Sequence, residues 1–296
     1  EVAACTYDGD STQPERTWAR ANAEVIFTNP EMLHYGVLPN HRRWEIWLRR
    51  LDYLVIDELH AFKGVFGSHV ANVLRRLLRL CAHYGSQPTL IATSATVGAP
   101  LELARSMTGV EMELVDADGA PDGGRVTAIC DPGRWDRTVG SSKASAEVAA
   151  QLMRAGVRTL VFCRSRAGTE RLAADLRRRL PRQLRGGVRS YRGGYLADER
   201  RSIEIDMAQG TATGVVTTTA LELGIDLGDL DAVVMDGFPG TIASFRQQAG
   251  RAGRRDQPGL AVLVRGNDQL DRWFTEHPDE LQERQAERAV VNPANP

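Results

Sequence analysis

Two acidic residues at the end of an apolar run, Asp57-Glu58 after Tyr53-Leu54-Val55-Ile56, are the groups in this 296-residue sequence best suited to chemistry. Apolar residues running straight into adjacent carboxylates suggest a buried parallel strand that delivers acids to a ligand crevice, where metal and phosphate chemistry is possible. His60 follows two positions later. A second apolar run, Thr89-Leu90-Ile91-Ala92, empties into the hydroxyls of Thr93-Ser94-Ala95-Thr96, and a third, Gly214-Val215-Val216-Thr217, into Thr218 and Thr219. Farther along, Gln247-Gln248-Ala249-Gly250-Arg251-Ala252-Gly253-Arg254 sets two guanidiniums beside two glycines. Carboxylates, hydroxyls and glycine-flanked arginines suit metal-bound phosphate. Each alone has a plainer reading: an acidic pair is most often a solvated turn, a lone histidine a structural residue, and strand-end hydroxyls satisfy backbone groups.

The elements that must position these groups alternate. Short apolar runs at 25–27, 53–56 and 89–92 read as strands, and so do those at 126–129, 159–163, 214–217, 232–235 and 260–264. Helical patterns lie between them. Val70, Val73, Leu74, Leu77, Leu78 and Cys81 share one helix face opposite Arg75, Arg76 and Arg79, with Ser68 the expected cap and Gly85 the stop. Thr169 is the expected cap of a helix bearing Leu172, Leu176 and Leu180, and Thr28 or Asn29 that of a helix begun by Pro30. The alternation predicts an α/β protein of two domains with mostly parallel sheets, the strands buried on both faces. In such sheets ligands sit at the carboxyl ends of the strands, where the acids and hydroxyls fall. The Asp-, Gly- and Pro-rich stretch 117–124 reads as a linker between a first domain, 1–116, and a second, 125–270, with 271–296 a polar connection onward.

Composition sets limits. Hydrophobic residues make up 42% and charged residues 25%, ordinary for a globular chain. The net charge of -1 carries no global signal for nucleic acid, so a basic surface must be local. Only Lys63 and Lys143 are lysines, a skew that says nothing of function. No apolar run approaches the roughly 18 residues of a membrane span, and no signal peptide opens the chain, so a cytoplasmic location without membrane partners is expected. Cys5, Cys81, Cys130 and Cys163 are too scattered for a zinc site or a disulfide framework.

Taken in order, Asp57-Glu58-Leu59-His60, Ser94-Ala95-Thr96, the segment 217–226 and Gln247 through Arg254 resemble the motifs of superfamily 2 DExH helicases. The chain is similar in particular to bacterial mitomycin-repair helicases and the fungal RecQ-like enzymes. Thr28-Asn29-Pro30-Glu31-Met32-Leu33-His34, Gly64-Val65-Phe66-Gly67-Ser68-His69, Tyr191-Arg192-Gly193-Gly194-Tyr195 and His277-Pro278 carry that likeness. The resemblance implies two tandem RecA-like domains and an ATP-dependent 3′→5′ DNA helicase of DNA repair. It implies ATP with Mg²⁺ held through water by Asp57, and Glu58 acting on the water that attacks the γ-phosphate. His60, Ser94, Thr96 and Gln247 would couple nucleotide state across the domains, His60 bonding Gln247. Gly224 and Asp226 would meet the ribose, and Arg251 and Arg254 the γ-phosphate. Asp10, Thr28, Asn29, Pro30, Arg164, Ser165, Thr217, Thr218 and Thr219 would contact the tracked strand of single-stranded or tailed duplex DNA, with Tyr191 and Arg192 weaker candidates.

One part is missing. Superfamily 2 enzymes grip phosphates with a Gly-x-x-x-x-Gly-Lys-Ser/Thr loop, and neither lysine here stands in one. The expectation is a fragment of a longer chain whose first domain lacks its N-terminal part, inactive alone, with zinc confined to an absent C-terminal domain. The competing expectations are a non-catalytic nucleic-acid-binding module that has lost its loop, and an RNA helicase, since backbone contacts do not by themselves separate RNA from DNA.

Overall fold

In the computed structural model, residues 2–117, 119, 124–134, 139–222, 230–253 and 258–294 are described. The chain divides into two units, Glu1–Asp116 with Arg288–Pro296, and Ala117–Glu287.

The first unit runs β1 (Ala4–Tyr7), α1 (Gln13–Asn22), β2 (Val25–Thr28), α2 (Pro30–Met32), α3 (Glu45–Arg49), β3 (Tyr53–Ile56), α4 (Gly64–Tyr84), β4 (Thr89–Ala92) and α5 (Pro100–Thr108). Its strands form two parallel pairs, β1 with β2 and β3 with β4. The periodicity of α4 explains its place: Val73, Leu77 and Cys81 pack with Trp44 and Leu48, while Val70, Ala71 and Leu74 pack with Ile56, Leu103 and Met107. The strands are not buried on both faces as expected: Phe27, Tyr53, Val55 and Ile91 are exposed on alternate positions. Among the described residues, apolar packing covers only the alternate face that carries Ile26, Leu54 and Ile56. The expected cap Ser68 also lies elsewhere. The helix starts four residues earlier, and the Ser68 hydroxyl donates back to the Gly64 carbonyl at 2.8 Å.

The second unit runs β5 (Arg125–Cys130), α6 (Ser141–Arg154), β6 (Thr159–Phe162), α7 (Arg166–Arg179), α8 (Arg182–Arg185), β7 (Val188–Tyr191), α9 (Ala197–Ala208), β8 (Gly214–Thr217), β9 (Ala232–Asp236), α10 (Ile242–Ala249), β10 (Gly259–Val264), α11 (Gln269–Glu276) and α12 (Glu280–Glu283). Six parallel strands order as β5-β10-β9-β6-β8-β7. Here both faces are covered. Leu160, Phe162, Val233 and Met235 meet Ile242, Phe245 and Phe274 on one side, and Val161, Val216, Val234 and Val262 meet the alanines of α6 and the leucines of α7 on the other. Alternating contacts of this kind account for strands that read as continuous apolar runs. Helix α7 is capped by Ser165, whose hydroxyl accepts from Gly168 N–H at 3.0 Å; Thr169, the expected cap, is buried one turn inside and donates to the Ser165 carbonyl.

Residues 271–296 depart from the expected polar connection. Phe274 and Leu281 are buried in the second unit's core because α11 and α12 each turn an apolar position inward. Residues 288–294 belong to the first unit: Gly64 N–H donates to Val290 O at 2.7 Å and Asn292 N–H to Ser68 Oγ at 3.0 Å.

Candidate functional site

The acids sit where β3 stops. Parallel register pairs Ile56 with Ala92, which sets Asp57 beside Thr93 one step on. Thr93 N–H donates to Ile56 O at 3.0 Å and Leu59 N–H to Thr93 O at 2.9 Å, locking the two strand ends together. The Thr93 hydroxyl bonds Asp57 Oδ1, which also accepts Glu58 N–H at 2.9 Å. Glu58 is left-handed, with φ 52° and ψ 45°. Of the non-glycine residues described, only Ala99 joins it there. That turn aims neighbouring carboxylates differently: Asp57 into the strand ends, Glu58 toward His60, whose Nε2 lies 3.4 Å from Glu58 Oε2.

His60 is buried, at 7% exposure. Its Nδ1 accepts Ala95 N–H at 3.1 Å, and the Ser94 hydroxyl lies 3.4 Å away. An amide can only donate, so the proton of the neutral ring is on Nε2, and that buried N–H, though 3.4 Å from Glu58 Oε2, is not aligned for a hydrogen bond to it or to any other described residue. Burial pushes the His60 pKa below the usual histidine value, and Lys63 adds to this, against the opposing pull of Glu58 and Asp57. The ring is therefore neutral at pH 7 with an unsatisfied donor, the state in which it can bond an incoming acceptor. Thr96 is exposed and makes no side-chain hydrogen bond among the described residues.

Neither carboxylate is paired with an arginine or lysine among the described residues; the one ionisable neighbour of Glu58 within reach is the neutral His60. An all-oxygen set of Asp57, Glu58 and Thr93 suits a hard cation such as Mg²⁺, which keeps much of its water and takes one or two carboxylates. No group of three or more His, Cys, Asp or Glu side chains among the described residues is arranged to enclose a metal ion.

The residues expected along a nucleic-acid strand are partly occupied within their own units. Asp8 Oδ1 accepts the N–H groups of Asp10 and Ser11 at 3.0 Å each, shaping a turn that leaves Asp10 exposed. The Thr28 hydroxyl donates to Tyr7 O at 2.7 Å, and Asn29 caps α2 by accepting Met32 N–H at 2.8 Å, with Pro30 at the first helical position. Arg164 is clamped by Asp268 and, at 2.7 Å, by the fully buried Asp271, which also accepts Phe238 N–H at 2.6 Å. Thr217 is buried with its hydroxyl unpartnered among the described residues, and Thr218 accepts Ala220 N–H at 3.4 Å. Thr219 starts the short turn that follows.

On the second unit Gln247 lies half-buried on α10. Arg251 donates from Nε and Nη2 to the Glu222 carbonyl, at 3.2 and 2.9 Å, anchoring it to the turn after β8. Gly224, Asp226 and Arg254 lie outside the described residues. The structure thus brings Asp57, Glu58, His60 and Ser94 together in one cluster of the first unit. It adds Thr93, which sequence motifs passed over and strand register would have found.

Comparison with known proteins bears on the family and the fold. Residues 1–104 match the DEAD/DEAH box helicase family, and residues 144–256 the helicase conserved C-terminal domain. The chain is 42% identical over 300 residues to the uncharacterized ATP-dependent helicase YprA of Bacillus subtilis, covering 100% of this chain and 40% of the relative. It is 43% identical over 289 residues to the ATP-dependent helicase HRQ1 of Saccharomyces cerevisiae, covering 94% and 27%. The crystal structure of the DUF1998 helicase MrfA bound to DNA and AMPPNP matches with a TM-score of 0.94 and 42% identity, over 100% of this chain and 42% of that one. The chain therefore spans well under half the length of these relatives.

Proposed function

Because the chain belongs to the superfamily 2 ATP-dependent helicases, with two tandem RecA-like domains, we propose that its protein couples ATP hydrolysis to stepping along DNA. The observation that carries this reading is the Asp57, Glu58, His60 and Thr93 cluster at the ends of β3 and β4. Glu58, which pairs with no arginine or lysine among the described residues, takes a proton from the water that attacks the γ-phosphate. Asp57, aimed by Thr93, would hold Mg²⁺ through its water shell, and the ion when bound would supply charge stabilisation to the ATP phosphates. His60 offers its unsatisfied Nε2–H to Gln247, reporting on nucleotide state. Ser94 and Thr96 continue the same strand end, and Arg251 and Arg254 act on the γ-phosphate, with Gly224 and Asp226 at the ribose.

Asp10, Thr28, Asn29, Pro30, Arg164, Ser165, Thr217, Thr218 and Thr219 are proposed to follow the strand backbone. Since Thr28, Asn29, Arg164 and Ser165 already spend side-chain groups on their own units, their part falls largely to backbone N–H groups and remaining donors. The 3′→5′ direction, a single-stranded or tailed duplex substrate and a role in DNA repair are supported by the likeness to mitomycin-repair helicases. DNA as partner is further supported by the DNA-bound MrfA structure.

The test uses the full-length protein. Glu58→Gln is expected to keep ATP binding and lose DNA-stimulated phosphate release by about a hundredfold or more. Release within about twofold of the unaltered protein would remove Glu58 as base. Strand separation from 3′-tailed but not 5′-tailed DNA is expected, and unwinding of RNA duplexes alone would transfer the reading to RNA.

A further inference from the structure

We propose that a pocket in the first unit, walled by Arg16, Arg20 and Arg43 and rimmed by Tyr35, binds one phosphate of a single-stranded nucleic acid, the Tyr35 ring stacking on the adjoining base. This rests on the nucleic-acid reading above and adds a site that the strand-contacting residues do not include.

The cavity measures about 220 Å³. That lies below the roughly 300–1,000 Å³ of sites enclosing whole small molecules, so it suits a phosphate group better than an entire nucleotide. Tyr7 and Trp44, which also line it, pack edge to face at 5.0 Å and are both nearly inaccessible. Its walls are cationic. Arg16, Arg20 and Arg43 form no ion pair among the described residues, whereas Arg49, Arg105 and Arg288 of the same unit pair with Glu45, Glu111 and Glu102. Acids of the same segment are engaged otherwise: Asp8 accepts from Asp10 and Ser11, and Glu15 from Thr12 N–H at 2.7 Å.

Each wall residue has its own physical sense. Arg16 is fixed in advance, donating from Nε to Ser11 O at 2.9 Å and from Nη2 to Asp8 O at 3.0 Å, with its guanidinium 5.7 Å from the Tyr7 ring centre. The bonds hold it to the turn that carries Asp10. Arg20, four positions on, shares its helix face, and like charges at that spacing repel. Arg43 has no hydrogen-bond partner among the described residues. Three uncompensated guanidiniums around one cavity raise the local potential in a chain whose net charge is only -1, and an anion relieves it. Tyr35 is 74% exposed on a π-helical turn, Leu33–Val37, that directly follows Pro30–Met32. Such turns recur at functional sites, and exposed aromatic rings are the stacking platforms of single-strand binding.

Fluorescence anisotropy of the full-length protein with labelled oligo-dT and oligo-U, across a salt series, tests the site. Arg20→Ala and Arg43→Ala are each expected to weaken binding about threefold or more, and together about tenfold or more. The double variant should have a salt dependence shallower by about 0.7 for each phosphate it no longer neutralises. Tyr35→Ala is expected to weaken binding at least about fivefold while Tyr35→Phe retains it. Arg49→Ala, which removes the same charge from a glutamate-paired position, is expected to change nothing. A double variant with unchanged affinity and slope, or an equal loss in Arg49→Ala, overturns the pocket alone. An unaltered protein that binds neither strand overturns the nucleic-acid reading with it.

Discussion

At the scale of residues, the site is defined by conformation as much as by composition. A non-glycine residue in the left-handed region costs about 1–2 kcal/mol, and Glu58 sits there at the point where the acids must diverge. Thr93 is the second finding at this scale, since its hydroxyl fixes the Asp57 carboxylate. Thr93→Val in the full-length protein is expected to lower phosphate release about tenfold, as loss of a group orienting a metal-binding carboxylate does, with the melting temperature little changed. Unchanged turnover would make the hydroxyl a mere strand tie. His60 supplies a pH test. Its native pKa lies below the ordinary value, first through burial, so the unfolded chain binds the proton more readily. The stability that follows is complete above about pH 6.5 and is lost as pH falls through the native pKa. Urea midpoints measured on either side of that window should therefore fall more for the unaltered protein than for His60→Gln, and parallel falls would refute it.

At the scale of elements, the second unit depends on a segment that reads as polar. The Asp271 carboxylate ties the Cys163-Arg164 strand end to Phe238, and Phe274 packs 4.4 Å from Phe238 between ring centres. Phe274→Ala is expected to cost about 3–5 kcal/mol, read as a fall in the denaturant midpoint of this unit. A cost under about 1 kcal/mol would mean that α11 merely rests on the core. The clamp on Arg164 has the same origin: a guanidinium at a strand end finds two acids at the start of α11, 104 and 107 positions on, which no local spacing reveals. Ser165 and Asn29, by contrast, cap helices with donor and acceptor only three positions apart, and Asn29 is one of the two alternatives, with Thr28, that the sequence offers for its helix.

At the scale of the whole molecule, the two units carry the groups proposed for hydrolysis and coupling, but the chain contains no Gly-x-x-x-x-Gly-Lys-Ser/Thr loop. The 296-residue chain by itself is expected to release little phosphate from ATP, with or without DNA. DNA-stimulated turnover by this chain that Glu58→Gln abolishes would show that other groups grip the nucleotide. No helix of the described residues is long and apolar enough to cross a membrane. The strand runs, their order and the chemical types of the site were legible in the sequence, because parallel strands need apolar stretches and phosphate chemistry needs acids, hydroxyls and arginines at their ends. Only the tertiary structure decided which hydroxyl meets Asp57, which arginines are neutralised and which stay uncompensated. Register, turn handedness and ion pairing depend on residues tens or hundreds of positions apart, such as Asp57 with Thr93 and Arg164 with Asp271, and no local pattern encodes those distances.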